Sequence, residues 1–179
     1  MRAVLDANVL FPTILREILT DLAGAGLYAP LWSARILAEW RHAAARLGAD
    51  QDAVAGAEIA LLRIRFPQAE LPDDGCQAID RDFPDPADRH VAETALAGDA
   101  SLIVTANLRD FPQHLMTGLG LRAIHPDAFL LDLFAADPAA VAAAVQAARD
   151  KAAAMGGNMT VGDMLKRSRL PRLAKAVKG

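Results

Sequence analysis

Four acidic residues lie at predicted junctions between secondary-structure elements, where their carboxylates could meet and do chemistry. Carboxylates that are brought close together repel one another, so they cannot all stay ionised near neutral pH unless a cation joins them. Mg²⁺ and Mn²⁺ favour oxygen ligands of this kind. The candidates for such a divalent-metal site are Asp6, Glu39, Asp88 and Asp110.

Two of these acids follow predicted buried strands. Asp6 comes directly after the apolar run Ala3–Leu5, and Asp110 comes shortly after the run Leu102–Val104. Ligands of an open parallel sheet bind beyond the carboxyl ends of its strands, so both positions suit a site. The alternatives are a loop carboxylate that bonds nearby backbone N–H groups for Asp6, and a helix cap or turn residue for Asp110. We favour the functional interpretation for Asp6, because the other acids converge on the same edge.

The other two acids lie on predicted helices. Asp88 falls in the first turn of a helix that Asp85 caps and Pro86 begins, close to the apolar face of that helix. An acid in a first turn also complements the helix dipole, which is a sufficient explanation by itself. Glu39 lies on the shoulder of the apolar stripe of a helix capped by Ser33, where a solvated glutamate is the ordinary expectation. Neither residue identifies a site on its own.

The elements that would position these acids alternate along the chain. Short apolar runs predict strands at 3–5, 27–31, 101–105 and 121–124, and helical spacing predicts helices at 12–23, 33–47, 51–64 and 86–97. We expect Pro30 at an edge or end of its strand, and a further strand near Ala78–Ile79 in the Pro-, Asp- and Gly-rich segment 66–85. After residue 125 only helices are predicted, with caps at Asp137 and Thr160. The alternation indicates an α/β domain with a mainly parallel sheet.

Four stretches in series resemble the PIN domain family, with the VapC-type toxins as the nearest likeness. They are VLDANVL (4–10), ILAEW (36–40), DPADRHVAETAL (85–96) and LIVTANLRDFP (102–112). The resemblance covers residues 1 to about 125 and implies an α/β/α sandwich around the parallel sheet. We therefore expect a PIN-like nuclease domain at 1–125, followed by a helical extension with a basic end at 126–179.

The resemblance also implies a role for each acid. Asp6 and Asp88 would ligate the metal directly, while Glu39 and Asp110 would complete the quartet through bound water or a second ion. The supporting polar positions of the family are occupied by Asn8, Thr105 and Asn107. The chain departs from the family at Ala7, where Thr is common, and at Asn107, which replaces Asp and removes a charge useful to a second ion.

The activity implied is that of a ribonuclease, dependent on Mg²⁺ or Mn²⁺, which cuts RNA phosphodiester bonds with activated water and no covalent intermediate. A VapC-type toxin further implies a cognate antitoxin and a homodimer. The alternative is a non-catalytic PIN fold that binds RNA or protein. A haloacid-dehalogenase-like phosphatase is disfavoured because its motif needs an acid where Asn8 stands. Neither a P-loop nor a zinc-type cluster of His or Cys ligands occurs in the sequence.

Bulk composition narrows the class of protein. Of the 179 residues, 53% are hydrophobic and 23% are charged, which is typical of a globular chain. The single cysteine, Cys76, excludes an internal disulfide framework. No apolar run is long enough to span a membrane and no basic start precedes an apolar run, so we expect a cytoplasmic protein without membrane association.

Charge is distributed unevenly. Residues 1–150 hold 12 Lys/Arg against 21 Asp/Glu, a net charge of −9, whereas residues 151–179 hold 7 against 1, a net charge of +6. Such a basic end could bind RNA phosphates or an acidic partner, or could be a solvated helix face. Its basic residues are Lys166, Arg167, Arg169, Arg172, Lys175 and Lys178.

Overall fold

A parallel sheet forms the centre of the computed structural model, which describes residues 1–72 and 79–178. Within these ranges it has five strands: β1 (Arg2–Leu5), β2 (Ala29–Ser33), β3 (Glu70–Leu71), β4 (Leu102–Val104) and β5 (Arg122–Ile124). Their order is β3-β2-β1-β4-β5, and every neighbouring pair is parallel. This confirms the predicted α/β class and makes the sheet wholly, not mainly, parallel in the described part of the chain.

Helices cover the sheet and continue beyond it. The α-helices of the described residues are α1 (Ala7–Leu10), α2 (Thr13–Gly24), α3 (Ala34–Ala45), α4 (Ala49–Arg65), α5 (Arg89–Ala97), α6 (Gln113–Gly118), α7 (Pro126–Ala136), α8 (Pro138–Ala154), α9 (Val161–Arg167) and α10 (Pro171–Ala176). Two short 3₁₀ turns, Pro86–Asp88 and Leu108–Asp110, precede α5 and α6. None of the described helices is long and apolar enough to cross a membrane.

The predicted helix starts are confirmed by their capping hydrogen bonds. Ser33 accepts from the backbone N–H of Ile36 at 3.3 Å, and Asp137 accepts from Ala140 at 2.9 Å. Thr160 accepts from Asp163 at 3.2 Å, also as predicted. Asp85 accepts from Ala87 at 2.8 Å, but it caps the 3₁₀ turn Pro86–Asp88, and α5 starts only at Arg89. Each cap satisfies a backbone donor that has no partner inside its helix.

The structure differs from the pattern-based prediction at several places. The helix predicted at 33–47 ends at Ala45, and Leu47, whose apolar side chain suits the buried stripe of that helix, is 67% exposed. The short helix α10 was not expected at all. Of the strand expected near Ala78–Ile79, Ala78 lies outside the described residues, and Ile79 is buried but not in a strand.

Strand β2 is an inner strand, since it pairs with both β1 and β3, but Pro30 is its second residue and so lies near a strand end, as predicted. The Trp32 N–H donates to Ala69 on the β3 side at 2.9 Å, and Pro30 lies two residues earlier on that same side. Strand β3 begins only at Glu70, so it does not reach Pro30. The missing N–H of Pro30 therefore leaves no ladder hydrogen bond unmade.

The C-terminal helices pack on the body of the protein. Helix α8 lies against α2, where Lys151 forms an ion pair with Glu17. Val141 of α8, Leu165 of α9 and Leu173 of α10 belong to the same apolar cluster as the strands. The cluster is thus continuous across residue 125, and the domain boundary placed there from the sequence stays a prediction.

Candidate active site

Asp6 is the centre of a hydrogen-bonded group at the C-terminal edge of the sheet. Its Oδ2 accepts from Nδ2 of Asn8 at 2.6 Å and from Oγ1 of Thr105 at 2.7 Å. The Asp6 residue is only 5% exposed, since it directly follows the central strand β1. Its backbone carbonyl accepts from the N–H of Val9 at 3.0 Å, which begins α1 and turns the chain away from the edge. The carboxylate is thereby held in one orientation.

The three predicted supporting residues join the loops after β1 and β4. Oδ1 of Asn8 accepts from the backbone N–H of Ala106 at 2.9 Å. Oγ1 of Thr105 accepts from Nδ2 of Asn8 at 3.0 Å and from the backbone N–H of Asn107 at 3.1 Å. The Asn107 amide also donates to Oδ2 of Asp110. This network of hydrogen bonds connects Asp6 to Asp110.

Glu39 reaches the site from α3 and is held by two basic side chains. Its Oε1 lies 2.9 Å from Nε2 of His90 and 3.5 Å from Nε of Arg35. His90 is 3% exposed, and neither of its ring nitrogens has a well-aligned hydrogen-bond partner in the described structure. Arg35 also donates to the carbonyl of Ala87 at 3.2 Å, beside Asp88. Arg35 was not predicted as a site residue; in the sequence its spacing of four residues before Glu39 is what could have indicated the contact.

Electrostatic effects act among the four acids. Burial raises the pKa of Asp6; the hydrogen bond from Thr105 opposes this, and the charge of Glu39 raises it again. Burial also raises the pKa of Asp88 to about 7, with further contributions from the charge of Asp110, a hydrogen bond with Asp110 and the charge of Asp6. These effects link the four predicted acids with one another, and a bound cation would favour the ionised forms of Asp6 and Asp88.

Comparison with known proteins places this arrangement in a family. The family model described as a PIN domain matches residues 2–109. The chain belongs to the PIN domain family. The matched range of this PIN domain contains Asp6, Glu39 and Asp88, and Asp110 follows it by one residue.

Part of the chain is similar to a protein named as a VapC-type ribonuclease, which agrees with the predicted resemblance to the VapC-type toxins. The chain is 47% identical over 45 residues to a protein of Mycobacterium tuberculosis named "Putative ribonuclease VapC50". The aligned part is 25% of this chain and 27% of that protein, so the alignment covers only about a quarter of the relative's length. No solved structure matches the chain at a significant level.

The donors at the edge of this PIN domain fit a hard divalent cation. Among residues 1–72 and 79–178, no three side chains of His, Cys, Asp or Glu are already spaced to enclose an ion. Mg²⁺ does not require such a cage, since it keeps several waters and is usually held by one or two carboxylates. An open group of carboxylates, in which burial and neighbouring charges raise the pKa of Asp6 and Asp88, is what such an ion would bind. The fit is therefore good for Mg²⁺ or Mn²⁺ and poor for zinc.

The predicted basic residues of the C-terminal end are not members of this acidic group. All six are exposed, on α9, on α10 or in the turns beside them. They are Lys166, Arg167, Arg169, Arg172, Lys175 and Lys178.

Proposed function

We propose that this PIN domain is a ribonuclease that requires Mg²⁺ or Mn²⁺ and hydrolyses RNA phosphodiester bonds. The observation that carries the proposal is the convergence of Asp6, Glu39, Asp88 and Asp110 at one sheet edge, with raised pKa values at Asp6 and Asp88. Family membership and the partial likeness to a protein named as a ribonuclease support the same activity.

Each acid has a task in the proposed reaction. A bound divalent ion would supply an activated water and offset the charge that develops on the phosphoryl oxygens. Asp6 offers a carboxylate already oriented by Asn8 and Thr105, so little ordering is needed when the site fills. A hydrogen bond with Asp110 contributes to the raised pKa of Asp88, and these two carboxylates would be further ligands for the ion. Glu39 is held in place by His90 and Arg35.

Chelation tests the proposal directly. We expect the purified protein to cleave single-stranded RNA in Mg²⁺ or Mn²⁺, to stop when EDTA is added, and to recover when either ion is supplied in excess. The readout is the appearance of shorter fragments from an end-labelled RNA. Cleavage that persists in EDTA would identify a contaminating ribonuclease or a metal-independent mechanism, and would contradict the proposal.

A non-catalytic PIN fold that binds RNA or protein is the second candidate. One observation favours it: in the described part of the chain, the acidic side chains do not yet stand at the spacing of a closed metal site. The chelation experiment separates the two candidates. Binding of RNA without cleavage in either ion would support the second.

We further propose that the protein is the toxin of a toxin–antitoxin pair and is a homodimer. A free ribonuclease damages its own cell, so we expect an inhibitor protein encoded beside it. Co-expression with the neighbouring small gene should give a complex that copurifies and lacks RNase activity, while expression of the chain alone should arrest growth. Harmless overexpression without a copurifying partner would contradict the toxin role but not the nuclease activity. Light scattering of the purified protein tests the dimer.

A further inference from the structure

The described C-terminal end carries a surface of high positive charge. We use the name basic surface for its six exposed side chains: Lys166, Arg167, Arg169, Arg172, Lys175 and Lys178. None of the six forms an ion pair with another described residue. Six cations within one short segment repel one another, which is unfavourable unless an anion neutralises them.

One acid lies among these cations, and it does not neutralise them. The pKa of Asp163 is lowered first by a hydrogen bond from Thr160 and then by the charges of Lys166, Lys178 and Arg167. Asp163 is therefore ionised at neutral pH and offsets a single positive charge. The basic surface keeps a net charge of +5, counted as six cations against one carboxylate.

Helix α10 is anchored at the same edge of the sheet as the acidic group. Asp127, in the first turn of α7, is 4% exposed and accepts from the backbone N–H groups of Arg172 and Leu173 at 3.1 and 3.0 Å. Asp127 lies three residues after Ile124, the last residue of β5, whose carbonyl accepts from the Thr105 N–H at 3.0 Å. The chain thus connects Arg172 to the C-terminal edge, where Thr105 holds Asp6.

An RNA substrate needs such a surface because the acidic edge repels it. The body of the chain has a net charge of −9, and every phosphodiester of RNA adds a negative charge. Exposed Lys and Arg side chains bind phosphate without the desolvation that burial would impose. A surface anchored at the same edge can hold the strand while its neighbouring segment enters the acidic group.

We propose that the basic surface binds the phosphate backbone of single-stranded RNA and delivers the strand to the acidic edge. This inference rests on the proposed ribonuclease function. An acidic protein partner would also be attracted by the charge, but a surface beside the catalytic edge is placed for substrate. The binding would be insensitive to base sequence, since phosphate contacts carry no sequence information.

The test reverses two charges on the basic surface and two elsewhere. Deletion of α9 and α10 is unsuitable, because it would leave the buried Asp127 without its hydrogen-bond donors. Arg167→Glu with Arg172→Glu changes only exposed side chains. The matched control is Arg46→Glu with Arg122→Glu, which makes the same change in net charge. Arg46 lies at the C-terminal end of α3, and Arg122 is the first residue of β5, at the opposite edge of the sheet from the acidic group. Both pairs are made in the Asp6→Asn background, so that RNA is bound and not cut.

Affinity for a fluorescein-labelled oligouridylate is measured by anisotropy at several salt concentrations. If both arginines contact phosphate, the slope of log affinity against log salt should flatten by about 1.4, at about 0.7 per contact for a single strand. Affinity at low salt should fall by about tenfold or more, whereas the control pair should behave like its parent. Thermal melting should show the same folded state in both pairs.

The outcomes separate this inference from the proposed function. Equal affinity and slope in the two pairs would overturn the inference, and the nuclease function would stand if the unmodified protein still cleaves RNA. Loss of a copurifying protein partner with unchanged RNA binding would also overturn it, and would assign the basic surface to that partner. Selective loss of RNA binding in the Arg167/Arg172 pair would support the inference even if no cleavage were found.

Discussion

Replacement of Asp6 by Asn should lower the rate of RNA cleavage about a thousandfold, because a catalytic metal contributes several kcal/mol and each 1.36 kcal/mol is a factor of ten. Asn keeps the shape of the side chain, and its carbonyl oxygen can still accept from Asn8 and Thr105, which now bond Oδ2. What it removes is the negative charge that would bind the ion. The rate is measured with end-labelled RNA in excess Mn²⁺, together with circular dichroism to establish that the fold is kept.

Asp99→Asn is the matched control for this change. Asp99 is exposed and lies at the opposite edge of the sheet, before β4, where its carboxylate is 3.8 Å from Arg2. Its φ of 49° is one that Asn adopts readily, so the same chemical substitution should leave both fold and rate unchanged. Full activity of the Asp6→Asn protein with preserved circular dichroism would show that the acidic group is not the active site.

The metal-free protein should lose stability as the pH rises through neutrality. The pKa of Asp88 is raised from 3.8 to about 7 by burial and by Asp110 and Asp6, so the folded state holds this proton more tightly than the unfolded chain. That contribution to stability is fully present below about pH 4 and is lost as the pH rises through about 7. The raised pKa of Asp6 acts in the same direction. We expect a lower melting temperature at about pH 8.5 than at about pH 5.5 in EDTA.

Two further measurements test whether Asp88 causes this loss of stability with pH. In Asp88→Asn, which cannot ionise at that position, the decline with pH should be shallower and the metal-free protein at high pH should be more stable than its parent. Excess Mg²⁺ should raise the melting temperature of the parent at high pH and much less that of the variant. Parallel pH profiles for the two proteins in EDTA would show that Asp88 does not carry the effect.

The order and type of the main elements could be predicted from the sequence, because they depend on neighbours in the chain. Local spacing is enough to predict the apolar runs of β1 and β4. Local backbone hydrogen bonding is enough to predict the helix caps at Ser33 and Asp137 and the helical turn that begins at Pro86. The failures were local as well. The helical spacing of apolar residues in α3 continues to Leu47, although the helix ends before it. Helix α10 is too short for such a spacing to be recognised.

The four candidate acids were named from sequence, but their environment is a property of the tertiary structure. The hydrogen bond between Thr105 and Asp6 joins residues 99 positions apart, and the bond from the Arg172 N–H to Asp127 joins residues 45 apart. Neither the spacing of apolar residues nor a helix cap predicts such pairs. They form because parallel strands end at one edge of the sheet and helices pack against one another. The raised pKa of Asp88 and the anchoring of the basic surface follow from that convergence, since charges interact through space and not along the chain.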